Sequence, residues 1–203
     1  MTDAPVPTGE GDAGFRPPEF GSGDALLVVD VQNDFCAGGA LEVPGAEEIV
    51  PVLNACIERA RSRSVPVFAS RDNHPPDHVS FAHRGGPWPE HCVRGTAGAA
   101  FHPALDLGDD AVVISKGEDP DRDQYSAFDG TDLADRLREL GVDRVWVGGL
   151  AEDVCVRATA LDAAHAGFET RVLLGATRAV SPEGHRETVE ELRDAGGVLE
   201  DGP

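Results

Sequence analysis

Three unlike reactive side chains stand where apolar runs give out. Asp30 closes "ALLVVD" (25–30) and Lys116 follows "AVVIS" (111–115). Cys155 comes shortly after "RVWVGG" (144–149), where Val156, Thr159, Ala160 and Ala163 take up helical spacing. Singly, each has an ordinary explanation: an aspartate can cap a turn, and a free cysteine is often a small buried apolar residue. Packing gives no reason for all three to gather at strand ends, whereas acyl transfer does. A thiol near a helix N-terminus and beside a cation is eased toward thiolate. A carboxylate can take its proton but repels the thiolate, and an ammonium offsets that repulsion. Asp30 as base, Lys116 as electrostatic partner and Cys155 as nucleophile make a working set. Asp153, read as the helix N-cap, places Cys155 in the first turn.

Lys116 carries a second signal. It is the only lysine among 17 basic residues, the rest being arginine. A coding bias explains the arginines but not the exception. A compact ammonium and a planar guanidinium are not interchangeable, so Lys116 is a candidate for a positional task.

A different chemistry is written in "RDNHPPDHVSF", which sets Asp72 and His74 two apart, on one face of an extended chain. His91 follows in "GGPWPEHCVRGTAGAAF". One carboxylate and two imidazoles suit a divalent transition metal with open positions. A solvated, histidine-bearing loop is the plain alternative.

The elements that must position these groups alternate. Apolar runs at 25–30, 65–70, 111–115, 144–149 and 169–175 are interleaved with helical patterns at 46–64, 131–141 and from Cys155 onward, with a long irregular segment at 73–110 and a closing helix at 181–197. Thr131 is read as a cap of the second helix, and Ser181 as the cap of the last, with Pro182 in its first turn. Continuous apolar strands between helices mean a sheet buried on both faces, so the expected fold is α/β: three layers, α/β/α, with a mainly parallel central sheet. In such sheets ligands bind at the carboxyl ends of the strands, where Asp30, Lys116 and Cys155 fall. Residues 1–23, rich in Gly, Pro and acid, are expected to form a flexible extension, and 24–203 a single domain.

The totals narrow the setting. A formal charge of −20 argues against nucleic acid and anionic membranes as partners. No apolar run approaches the ~18 residues of a membrane span. Nothing reads as a signal peptide, and Cys36, Cys56, Cys92 and Cys155 lack disulfide or C-x-x-C spacing. Free thiols and a cytoplasmic location are the expectation.

These motifs resemble the isochorismatase-like cysteine hydrolases, and within them the nicotinamidase/pyrazinamidase family, over 24–201. "ALLVVDVQNDFCAGGAL" is similar to the family's opening strand, "DNHPPDHVSF" and "WPEHCVRGTAGAAFHP" to its metal segments, "ISKGEDPDRDQYSAF" to its lysine segment, and "GLAEDVCVRATALDA" to its nucleophile elbow. The resemblance implies Asp30, Lys116 and Cys155 as catalytic residues, with Asp72, His74 and His91 as metal ligands. It implies an oxyanion hole from the backbone N–H groups of Ala151 and Cys155, a cis peptide at Leu150–Ala151, and Phe35 and Trp88 flanking a pyridine ring. One divalent metal ion is implied, zinc first, with iron(II) and manganese(II) as alternatives. Asn73 departs from the aromatic often found in D-x-H, and His78 aligns loosely with a residue that binds metal in some members.

The implied function is hydrolysis of nicotinamide to nicotinate and ammonia, with pyrazinamide a further substrate, through a cysteine thioester. The partner is a small molecule, and assembly is as a monomer or homo-oligomer. The alternative is another hydrolase of the same fold, acting on a different amide or on isochorismate; a non-catalytic binding module is a third reading. Asp72, His74 and His91 favour the nicotinamidase, and the intact Asp30–Lys116–Cys155 set argues against a module.

Overall fold

In the computed structural model, residues 15–200 are described, and the alternating pattern becomes a six-stranded, wholly parallel sheet. The chain runs β1 (Asp24–Val29), α1 (Ile49–Ser62), β2 (Val67–Asp72), β3 (Val112–Lys116), α2 (Leu133–Glu139), β4 (Arg144–Gly149), α3 (Arg157–His165), β5 (Glu169–Thr177), α4 (Pro182–Asp194) and β6 (Val198–Glu200). The strand order is β3-β2-β1-β4-β5-β6. From β1 the chain winds outward through β2 and β3, then returns to lay β4 on the other side of β1. The crevice between β1 and β4 is therefore the switch point where such sheets bind ligands.

Successive side chains of a strand face opposite ways, and both sides of this sheet are filled. Leu26 and Val28 of β1 pack with Leu53, Cys56 and Ile57 of α1. Ala25, Leu27 and Val29 pack with Leu137 of α2, Ala160 and Ala163 of α3 and Leu192 of α4. All six residues of β1 are buried, which is why Ala25–Val29 read as a continuous apolar run rather than an alternating one.

Several boundaries differ from the sequence expectation. β2 begins at Val67, beyond Pro66, which has no N–H to give a ladder. The shift carries the strand to Asp72, and β3 likewise runs through Lys116. β6 was not expected, since three residues leave no readable period. Asp132, rather than Thr131, directly precedes α2; the Thr131 hydroxyl accepts from Leu133 N–H at 3.3 Å. Ser181 caps α4 as expected, accepting from Gly184 N–H at 3.0 Å.

The expected flexible extension falls partly outside the described residues, which exclude 1–14. Its described part lies on the domain. Phe20 is 3% exposed and meets the Trp146 ring edge-on at 5.7 Å, and Glu19 pairs with Arg59 and Arg63. The buried Phe20 ring and the Glu19 ion pairs hold the residues next to β1 against the domain, where composition alone reads as loose. Among the described residues, no helix is long and apolar enough to cross a membrane.

Candidate active site

Asp30, the first residue beyond β1, is fully buried and holds φ +48°, the left-handed region that non-glycine residues seldom occupy. Its N–H donates to the Ser70 carbonyl at 3.2 Å, and its own carbonyl accepts from Gln32 N–H at 2.8 Å. That bend turns the carboxylate inward. Oδ1 accepts from the Ser70 hydroxyl at 2.7 Å. Oδ2 lies 2.8 Å from Lys116 Nζ yet makes no well-directed hydrogen bond, which leaves a lone pair free to take a proton.

Lys116 is 1% exposed. Its ammonium reaches three groups: Asp30 at 2.8 Å, Asp72 Oδ1 at 2.5 Å and Cys155 Sγ at 3.4 Å. The parallel register that pairs Asp72 with Lys116 brings the second carboxylate to it. Burial alone would lower the Lys116 pKa, but Asp30 and Asp72 outweigh it and hold the ammonium firmly protonated. Burial raises the Asp30 carboxyl above its ordinary range against the pull of Lys116. It also pushes the Cys155 thiol well up; Lys116 opposes this, and the carboxylates of Asp30 and Asp72 add to it. At rest, then, the sulfur keeps its proton beside a base, instead of standing as the free thiolate that a helix terminus and a cation would favour.

The turn that presents Cys155 begins at Gly149, whose φ of +126° and close approach to the Val29 carbonyl leave no room for a Cβ. Leu150 N–H donates to that carbonyl at 2.8 Å. Residues Glu152–Val156 form one π-helical turn feeding α3, a wide turn often found at functional positions. The Ala151 carbonyl accepts from both Val154 and Val156 N–H at 3.1 Å. Ala151 N–H has no acceptor among the described residues. Two expectations fail here. Asp153 is not the N-cap: it lies inside the π turn, and its carboxylate accepts from the N–H groups of Val180 at 2.8 Å and Ser181 at 3.3 Å. No cis peptide occurs among the described residues, so Leu150–Ala151 is trans, with the reversal taken up at Gly149.

Asp72, His74 and His91 converge, all buried, with their ligand atoms within 4.8 Å of one another. The donor set fits a divalent metal by an internal sign. His74 Nδ1–H donates to the Gly117 carbonyl at 3.0 Å, and His91 Nδ1–H to the Pro89 carbonyl at 2.8 Å. Both rings are thereby fixed with the Nε2 lone pair free to ligate, the arrangement that supports a metal-bound imidazole. A Cβ on Gly117 would lie 2.4 Å from the His74 ring, so only glycine can offer that carbonyl. Burial alone would raise the Asp72 carboxyl, but Lys116 and His74 outweigh it and keep it ionised. His78 stands outside the set. Its Nε2–H donates to the Arg122 carbonyl at 2.9 Å and its Nδ1 meets the Ser80 hydroxyl at 2.7 Å, while its ring lies 4.2 Å from that of His74.

A cleft of about 560 Å³, mouth included, connects these groups; Phe35, Trp88, Asp72, His74, His91, Ala151 and Cys155 all line it. Sequence reasoning missed Tyr125, which accepts from Trp88 Nε1–H at 3.1 Å, and the apolar wall of Leu41, Val43 and Val154. Tyr125 stood within "DRDQYSAF", but nothing in the spacing set it against Trp88. Gln32 was also missed. Wholly buried, it grips the Asp72 backbone through both ends of its amide, accepting from Asp72 N–H and donating to Asp72 O, each at 2.8 Å.

The isochorismatase domain family matches residues 24–202. A nicotinamidase of Escherichia coli is 41% identical over 198 residues, covering 86% of this chain and 93% of that protein. Among solved structures, a pyrazinamidase of Pyrococcus horikoshii in complex with zinc is 47% identical with a TM-score of 0.85, covering 88% of this chain and 98% of that one. PnC1 from L. infantum in complex with nicotinate is 39% identical with a TM-score of 0.84, covering 91% and 94%.

Proposed function

The chain belongs to the isochorismatase domain family, and from that premise we propose that it is a metal-dependent nicotinamidase, hydrolysing nicotinamide, and pyrazinamide as well, to the acid and ammonia. The observation that carries the proposal is the contact between the two halves of the cleft. Asp72 faces Lys116 through one oxygen and lies 3.6 Å from His74 Nε2 through the other. A nucleophile centre and an imidazole–carboxylate set built around one shared carboxylate suit a substrate with an amide at one end and a ring nitrogen at the other.

Asp72, His74 and His91 would hold the ion, zinc on the precedent of the Pyrococcus horikoshii structure. When bound, it would supply a Lewis-acidic anchor for the pyridine nitrogen. Phe35 and Trp88 would flank the ring. The Cys155 thiol gives its proton to Asp30 Oδ2 as sulfur attacks the carboxamide carbon, so the thiolate exists only while the new bond forms. Lys116 stays charged throughout and balances the negative charge near sulfur. The Ala151 N–H, with that of Cys155, would hold the oxyanion of the tetrahedral intermediate. Asp30 returns its proton to the departing nitrogen, releasing ammonia and leaving a thioester on Cys155. It then takes a proton from water, which attacks the thioester; as the C–S bond breaks and the acid leaves, Asp30 gives that proton back to the Cys155 sulfur, restoring the resting thiol and carboxylate.

In this reading, residues 24–203 form one hydrolase domain of a cytoplasmic enzyme whose partner is a small molecule. An ammonia-release assay on nicotinamide, with metal analysis of the same sample, tests it. Turnover of another amide with none of nicotinamide would move the chain to a different hydrolase of the family.

A further inference from the structure

A second group of metal-ligating side chains lies outside the cleft and shares no residue with it. Cys36 Sγ, a Glu47 carboxylate oxygen and a His102 ring nitrogen all lie within 4.8 Å of one another. The three come from separate segments. Cys36 follows the short 3-10 turn Asn33–Phe35, Glu47 lies in the turn leading into α1, and His102 lies within the long segment between β2 and β3. Cys36 is a free thiol, 2% exposed. The His102 side chain is 15% exposed, and Glu47, at 50%, opens the group to solvent.

An ordinary surface ion pair accounts for part of this: His102 Nε2 lies 3.0 Å from a Glu47 oxygen. Cys36 packs in the hydrophobic core, and its sulfur comes to the edge of that core beside the pair, which adds a third ligand type. We propose that Cys36, Glu47 and His102 form a second divalent-cation site, of the thiophilic zinc class, independent of the catalytic reading. Thiolate, imidazole and carboxylate are the three ligand types zinc prefers. Around a tetrahedral ion with bonds of about 2.0–2.3 Å, ligand atoms stand roughly 3.3–3.8 Å apart, so the His102–Glu47 pair at 3.0 Å must open slightly while the rest of the group, within 4.8 Å, draws in. The thiolate and carboxylate neutralise the ion's charge, and a net charge of −20 favours cation approach.

Binding carries definite proton changes. Cys36 releases its proton to solvent. Ala104 N–H now donates to His102 Nδ1 at 3.2 Å, which places the ring proton on Nε2. Ligation through Nε2 moves that proton to Nδ1, and the exposed Ala104 N–H turns to water. The site would tie His102 to the loop between Cys36 and Glu47, whose Leu41 and Val43 line the substrate cleft.

Cobalt(II) titration of the full chain tests the proposal, because cobalt bound to thiolate absorbs in the near ultraviolet and cobalt bound only by imidazole and carboxylate does not. The probe is cobalt alone, followed in wild type and in a His74→Ala chain that lacks a ligand of the cleft set. The expected result is a thiolate band in both that disappears in Cys36→Ser, with one fewer ion bound per chain. Should Cys36→Ser fold poorly, Glu47→Gln at an exposed position keeps the thiolate but should weaken the band-forming affinity by about tenfold or more. No thiolate band in His74→Ala overturns the proposal. So does a band that survives Cys36→Ser and vanishes in Cys155→Ala, or one whose affinity Glu47→Gln leaves unchanged.

Discussion

Lys116 and Asp72 meet at 2.5 Å as paired positions of two parallel strands, with both side chains buried. The lone lysine thus bridges two carboxylates and a thiol, and the nucleophile centre is wired to the imidazoles of His74 and His91 through Asp72. The clearest expectations follow from that junction.

Lys116→Arg should fail although it conserves charge. A wider planar group cannot keep three contacts in a space with no solvent access. Turnover per active chain should fall by about 100-fold or more, and overpacking should cost about 1–3 kcal/mol of stability. Near-wild-type kinetics and melting would show that this lysine has no positional task.

Cys155→Ala should abolish turnover and leave fold and metal content intact. A pyridine-bearing electrophile should label Cys155 ahead of Cys36, Cys56 and Cys92, because only Cys155 lines the cleft. Mass spectrometry finding the label elsewhere, together with an active Cys155→Ala chain, would sink the nucleophile assignment.

The acid limb of kcat/KM should lie above the ordinary carboxylate range of about 4, since burial raises Asp30 and only its ionised form can take the Cys155 proton. Activity is lost as pH falls through that raised value. The stability sign is opposite. Between the unfolded and folded pKa of Asp30 the folded chain binds more protons, so this group's contribution falls as pH rises through that window. A metal-saturated profile whose acid limb sits at an unshifted carboxylate value would argue against Asp30 as the base.

Benzamide keeps the carboxamide and the ring but lacks the nitrogen. Losing a metal contact should cost several kcal/mol, and each ~1.4 kcal/mol is a factor of ten in rate. Benzamide should therefore turn over orders of magnitude more slowly than nicotinamide. Chelation, or His74→Ala, should bring nicotinamide down toward benzamide. A preference that persists in the metal-free enzyme would mean that Asp72, His74 and His91 do not orient the substrate.

Phe20→Ala should lower stability with little effect on turnover, because Phe20 packs on Trp146. A loss of about 3 kcal/mol is in the range for a buried phenylalanine, and for a chain of this size it shifts Tm by roughly 6–12 °C. An unchanged Tm would return this segment to the flexible extension expected from composition.

Strand ends are legible in one dimension. Asp30, Lys116 and Cys155 could be placed on one rim because apolar runs buried on both faces stop abruptly, and parallel strands stop on the same side. Asp72 and His74 could be paired because alternate residues of an extended chain share a face. The partnership among these groups could not be read that way. Which oxygen of Asp72 meets Lys116 depends on the register between β2 and β3, and the inward turn of Asp30 on a φ of +48°. The π turn at Cys155, the trans Leu150–Ala151 bond, the fixed rings of His74 and His91 and the burial of Phe20 likewise have no signature in spacing. Residue types and periods determine which groups reach the rim. Torsion angles, register and hydrogen bonds between segments dozens of residues apart decide which of them touch, because those terms exist only once the chain has closed on itself.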